Sequence, residues 1–200
     1  VRTLFDEYAE RFDHHLIHFG YRVPGLVRRV LAQLAPARGP VLDLGCGTGL
    51  LAVACKDHVV HGWIGVDLSP RMIEAARSKT LYAELHEADL LTFLGGEKRL
   101  FPLILAGDVL CYFGPLAPVL KAVQPRLAPG GRFIFTVEGL AHSEEAVRLG
   151  RMGRYAHSEA HVTAAARDAG LKTISLDEDV LRQDGPAPVR GFVAVLERAT

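Results

Sequence analysis

Val41-Leu42-Asp43-Leu44-Gly45-Cys46-Gly47-Thr48-Gly49-Leu50-Leu51 decides the reading of this chain. A short apolar run enters a loop with glycine at three alternate positions, and a helical pattern follows. Glycine admits positive φ and lets a ligand lie directly on the main chain. Eighteen residues past Gly49, a second apolar run, Trp63-Ile64-Gly65-Val66, ends in Asp67. An acid at the tip of the next parallel strand is placed to grip the two hydroxyls of a ribose. Glycine loop and acid together imply a nucleoside-containing cofactor across the carboxyl ends of a parallel sheet.

The spacing discriminates between cofactors. A dinucleotide loop reads G-x-G-x-x-G and sets a pyrophosphate on a helix N-terminus. This loop reads G-x-G-x-G, with Asp43 just before it. A carboxylate there repels a pyrophosphate and suits a ligand carrying an ammonium group and a sulfonium centre. That disfavours a dehydrogenase-like nucleotide enzyme.

With those residues in view, the chain resembles the class I S-adenosylmethionine-dependent methyltransferases. Their first motif is similar to Leu42-Asp43-Leu44-Gly45-Cys46-Gly47-Thr48-Gly49, and their second ends in an acid like Asp67. The resemblance implies a cofactor site of Tyr8, Asp43, Gly45, Cys46, Gly47, Gly49, Asp67, Leu68, Asp89, Leu90 and Asp108. Asp67 would hold the ribose and Asp89 the adenine amino group, with Leu68 and Leu90 as apolar walls. Tyr8 belongs to an opening helix that resembles the cofactor lid of small-molecule methyltransferases. Asp89 also reads as a helix cap or turn residue. Asp108 either bonds the donor's amino group or orients the acceptor, and also reads as a cap of the turn that follows it.

Bulk properties narrow the class. Two hundred residues suit one domain with a sizeable core. The hydrophobic share of 49% is that of a globular protein. Basic and acidic residues balance at 23 each, so no electrostatic footprint for long nucleic acid is visible. No apolar run approaches the ~20 residues that span a bilayer. No signal peptide is visible. Three cysteines in apolar segments read as reduced thiols of a cytoplasmic protein. Val1 in place of Met suits a piece trimmed from a longer protein.

Strand and helix patterns alternate from residue 41 onward, which predicts an α/β doubly wound, mostly parallel sheet of seven strands with an antiparallel last strand. One domain over 1–200 divides into a helical lid (1–38), a cofactor-binding core (39–138) and a substrate-side connection with closing strands (139–200). Ser69-Pro70 reads as helix cap and first turn. Asp184-Gly185-Pro186 reads as the turn between the last two strands.

The remaining candidates lie where an acceptor would bind. The segment Arg151-Met152-Gly153-Arg154-Tyr155-Ala156-His157-Ser158 follows the fifth strand. Its Arg154–Ser158 stretch resembles one branch of the superfamily, predicted methyltransferases associated with tetratricopeptide repeats, although no repeat occurs in this chain. Tyr155 and His157 are candidate catalytic residues, His157 as a base near neutral pH. Arg151 or Arg154 would pair with an acceptor carboxylate. Ser158 alternatively caps the next helix, with His157 packing at its start. His14/His18 and His157/His161 are spaced four apart but lack a third ligand at a recognised spacing, so no metal is expected. The loop after the fourth strand lacks the Asn/Asp-Pro-Pro-aromatic motif of amino methyltransferases acting on DNA bases or protein glutamine. The reading is therefore a small-molecule methyltransferase. A methyltransferase-like domain that binds cofactor without turnover stands as the alternative.

Overall fold

The computed structural model describes Thr3 and residues 20–140, 145–150 and 153–199. The expected opening helix with Tyr8, His14 and His18, and also Arg151, lie outside the described residues.

The predicted alternation is present. Strand β1 (Val41–Leu44) is followed by helix α2 (Leu50–Cys55), β2 (Trp63–Asp67), α3 (Pro70–Ser78), β3 (Tyr82–Glu87), α4 (Leu90–Gly96) and β4 (Phe101–Ala106). Helix α1 (Val23–Leu31) precedes them. After β4 come α5 (Ala117–Val123), β5 (Leu127–Gly139), the short strands β6 (Val147–Leu149) and β7 (Tyr155–His157), and α6 (Glu159–Asp168). The long hairpin β8 (Leu171–Asp184) and β9 (Ala187–Arg198) follows. Ser69 accepts from the Met72 N–H and Pro70 opens α3, as the sequence predicts.

The sheet order is β3-β2-β1-β4-β5 on one side, all parallel, with β9 and then β8 added antiparallel beyond β5. The seven expected strands are there, and the described residues add two. β7 pairs parallel with the last two residues of β5, and β6 pairs antiparallel with β7. Glu138 pairs with Gly191 of β9 and with Ala156 of β7. β7 therefore occupies the other edge of β5, where β4 has already ended. Three-residue strands have too short a periodicity to be read from sequence.

Both faces of the sheet are covered, and alternate residues serve opposite faces. Leu42, Leu44 and Ile104 join one core with α4, α5 and α6. Val41, Leu103 and Leu105 join the other with α1 and α2. By the same alternation Asp43 emerges on the face covered by α1 and α2. Chain order reverses between β1 and β4, and such a switch point opens a crevice at the strands' carboxyl ends. The residues that end β1, β2 and β4 all arrive there.

Candidate active site

The loop after β1 is built by backbone hydrogen bonds. The N–H groups of Gly45 and Cys46 both donate to the Val66 carbonyl at 2.8 and 3.0 Å, and the Gly49 N–H donates to the Cys46 carbonyl at 2.9 Å. Gly45, Gly47 and Gly49 have φ of +66°, +53° and +89°. At Gly45 a Cβ would lie 2.5 Å from Val109 Cγ2, so the loop after β4 can approach only a glycine. Cys46 is buried between the two, and burial pushes its thiol well above the ordinary value. It is a packed thiol rather than a nucleophile.

Asp67 closes the loop from β2. Its Oδ2 accepts from the Gly47 N–H and its Oδ1 from the Ser69 N–H, both at 2.9 Å. Two main-chain donors thus fix the orientation of this carboxylate, and Asp67 shapes the loop from the tip of β2.

Asp43 is fully buried. Its Oδ2 accepts from the Tyr82 hydroxyl at 2.7 Å, while Oδ1 has no hydrogen-bond partner. Burial, and to a lesser degree the nearby Asp67, pushes its carboxyl up to about 7, against the lowering effect of the Tyr82 hydrogen bond. An orphaned buried acceptor beside a second acid calls for a donor, and best a cation. S-adenosylmethionine fits: its ammonium group suits Asp43 and its ribose suits Asp67. A pyrophosphate does not.

Asp89 shows the capping role directly. Its Oδ1 accepts from the N–H of Thr92 at 3.0 Å and from its hydroxyl at 3.2 Å, capping α4. The expected apolar walls separate. Leu68 is 37% exposed at the crevice, whereas Leu90 is 6% exposed and packs chiefly into the core with Leu94. As the first residue of α4, Leu90 sets its side chain against that core.

Asp108 has φ +58°, and its N–H donates to the Thr136 hydroxyl at 2.9 Å. Its Oδ1 is held by Arg154 and, at 3.4 Å, by Arg182. The same two guanidiniums share Oε1 of Glu138, and Arg154 also reaches the Tyr112 hydroxyl at 2.8 Å. Burial raises the carboxyl of Asp108 even against both arginines. Burial also raises that of Glu138, but Arg182 and Arg154 outweigh it and hold the group low. Two cations and two anions thus balance in one cluster joining the loop after β4, the end of β5, the start of β7, and β8. The Arg154 guanidinium, expected to pair with an acceptor carboxylate, pairs here with Asp108 and Glu138 of the fold itself. Glu138 and Arg182 were missed in the sequence. The one available signal was a charged residue directly after the apolar run Phe133–Val137.

Tyr155 packs its ring against Gly114, where a Cβ would sit 3.1 Å from Cε1. That places it at the loop after β4. His157 is 0% exposed and its ring stacks on His161 with centroids 5.4 Å apart. Burial, with His161 adding to it, lowers its value to about 4 against the opposing effects of Glu138 and the Phe113 backbone. Ser158 caps α6 by accepting from the His161 N–H at 3.2 Å. The expectation of His157 as a base titrating near 6.5 is therefore corrected to a neutral, packed ring. The consequence is measurable. Unfolded histidine takes a proton below about 6.5, and the folded ring resists it down to about 4. Stability should fall as pH drops through that window and be unaffected by this group above it. His157→Leu should flatten this decline in denaturant titrations run between pH 4 and 7. An equal slope in both proteins would show that His157 is not the group responsible.

A family model described as a methyltransferase domain matches residues 12–176. The chain belongs to this methyltransferase-domain family. A demethylmenaquinone methyltransferase of Chlorobaculum tepidum is 34% identical over 140 residues, covering 66% of this chain and 56% of that protein. The biotin biosynthesis bifunctional protein BioCD of Bordetella avium is 31% identical over 133 residues, 66% of this chain and 28% of its own length. The chain thus spans between about a quarter and somewhat over half of these curated relatives. Among solved structures, magnesium protoporphyrin IX methyltransferase from Synechocystis with bound S-adenosylhomocysteine superposes with a TM-score of 0.74 at 16% identity, covering all of both chains. It shares the fold.

Proposed function

We propose that the chain is an S-adenosylmethionine-dependent methyltransferase that transfers the methyl group to a small-molecule acceptor. The observation that carries this reading is the buried, half-partnered Asp43 beside Asp67 at the switch point, an electronegative cradle around the glycine loop. The named relatives act on small molecules by their names, a demethylmenaquinone and a magnesium protoporphyrin. Balanced net charge supports the same acceptor class. The Arg154–Ser158 stretch supports a place in the branch associated with tetratricopeptide repeats. Among the described residues no helix is long and apolar enough to cross a membrane. The three buried free cysteines support a reducing compartment such as the cytoplasm.

The bound cofactor supplies a methyl on positively charged sulfur, which is already activated. The protein's part is alignment and exclusion of water. Asp67 and Asp89 orient the nucleoside, Asp43 the amino-acid end. The acceptor lies between the loop after Asp108 and the β6–β7 hairpin, with Tyr155 at its edge. The ion cluster of Asp108, Glu138, Arg154 and Arg182 fixes these two parts relative to each other.

A melting-temperature panel tests the cofactor, since a ligand that binds only the folded state stabilises it by about 2.7 kcal/mol at a hundred times its dissociation constant. S-adenosylmethionine and S-adenosylhomocysteine should raise the melting temperature and NAD(H) should not. Methyl-labelled cofactor incubated with quinol, porphyrin and carboxylic acid acceptors then reads turnover. Stabilisation by NAD(H) alone would overturn the reading. Cofactor binding with no labelled product across such panels would favour a binding domain without turnover.

A further inference from the structure

Asp43 is fully buried at the foot of the glycine loop. Among the described residues, the groups around it include the Cys46 thiol from its own loop, Asp67 from β2, Tyr82 from β3 and the Cys55 thiol from α2. Two cations stand nearby without an ion pair to it: Arg28 of α1, which acts on Cys55, and Lys79 after α3, whose Nζ donates to the Thr48 carbonyl at 2.6 Å. Tyr82 is itself held in place. Its ring lies edge-on to Trp63, with centroids 6.3 Å apart, and closes on Gly49, where a Cβ would meet it at 3.0 Å. Burial and the neighbouring Asp43 keep its hydroxyl protonated well above the ordinary range, so it always donates.

We propose that Tyr82 is a positioning residue of the cofactor site, its hydroxyl holding Oδ2 of Asp43 so that Oδ1 is left for the cofactor's ammonium group, and that cofactor binding drives a proton off Asp43. The inference rests on the methyltransferase reading and adds a residue and a coupled ionisation to it. In the free protein a buried carboxyl with one hydrogen bond and no ion pair among the described residues favours its neutral form. A cation arriving at Oδ1 reverses that preference. The O–H bond of the carboxyl breaks, the proton leaves to buffer, and the carboxylate accepts from the ammonium. Nothing is oxidised or reduced. Burial sets the carboxyl at about 7, so about half a proton should be released per site at pH 7.

The test is calorimetric titration of the full chain with S-adenosylhomocysteine, which carries the same ammonium group and undergoes no turnover. Runs at pH 7 in phosphate and in Tris, whose ionisation enthalpies differ, give the number of protons released. Wild type should release about half a proton, and its affinity should rise from pH 6 to 8 and then level. Asp43→Asn should bind more weakly and lose the buffer dependence. Tyr82→Phe keeps the ring and its packing. It should bind roughly fivefold to tenfold more weakly, with its pH dependence displaced upward, because the hydrogen bond that favoured the carboxylate is gone. Equal enthalpies in both buffers for wild type, buffer dependence surviving in Asp43→Asn, or Tyr82→Phe titrating like wild type would each overturn the proposal while leaving the cofactor assignment intact. No binding of S-adenosylhomocysteine by wild type would overturn both.

Discussion

Asp67→Ala is expected to weaken S-adenosylmethionine binding by roughly 2–4 kcal/mol, since hydrogen bonds to a charged group are the stronger kind and two ribose hydroxyls lose theirs together. That corresponds to about 30-fold to 1,000-fold in dissociation constant. The geometry adds a second consequence. The Gly47 and Ser69 N–H groups both donate to this carboxylate, so its removal strips a partner from each and loosens the loop that cradles the ligand. Free-protein stability should therefore fall as well, by about 1–3 kcal/mol per group left unsatisfied if water does not replace the carboxylate. Asp67→Asn keeps one acceptor oxygen and should lie between wild type and alanine in both measurements. Calorimetric affinities alongside denaturant titrations of the free proteins separate the two effects. Unchanged cofactor affinity in Asp67→Ala would remove Asp67 from the ribose site.

The division between what the sequence reveals and what it conceals follows from locality. The loop 43–49 and Asp67 are legible because glycine spacing, an apolar strand and a terminal acid are short-range features with one compatible geometry. The cap roles of Ser69, Asp89 and Ser158 are legible for the same reason, each being a side chain that reaches its own helix within three residues. The ion cluster is not. Arg182 meets Asp108 across 74 positions and Glu138 across 44, and neither spacing leaves a pattern in the chain. Tyr82 is hidden similarly. As the first residue of β3 it reads as a core aromatic, and only the sheet register carries it beneath the glycine loop to Asp43. His157 is misread for a related reason: its residue type suggests a base, but burial decides whether an imidazole titrates near neutrality.

The cluster also bears on acceptor choice. Arg154 directs three of its five N–H donors to Glu138, Tyr112 and Asp108, and its charge is matched within the cluster. In the proposed acceptor site, a neutral or hydroxyl-bearing group beside Tyr112 and Tyr155 would leave that pairing intact, whereas an acceptor carboxylate would compete with Asp108 and Glu138 for the guanidinium.

Gly47→Val should abolish measurable cofactor binding while leaving a folded protein. Gly47 sits at φ +53°, where a β-branched residue is a genuine outlier. Its N–H is fixed on Asp67 Oδ2, so the loop cannot relax by turning that peptide without losing the bond that orients the ribose acid. Valine also adds two methyl groups at the apex of the loop, against which the amino-acid end of the cofactor must lie. The β1 and β2 strands beneath are held by their own ladder and by the Gly45 and Cys46 bonds to Val66, so the sheet should survive. Gly47→Ala imposes the same φ with less bulk and should bind measurably but weakly. Circular dichroism would confirm the fold of each variant, and calorimetry would read the affinity. If Gly47→Val binds S-adenosylhomocysteine like wild type, the loop is only a turn between β1 and α2, and the cofactor lies elsewhere on the sheet edge.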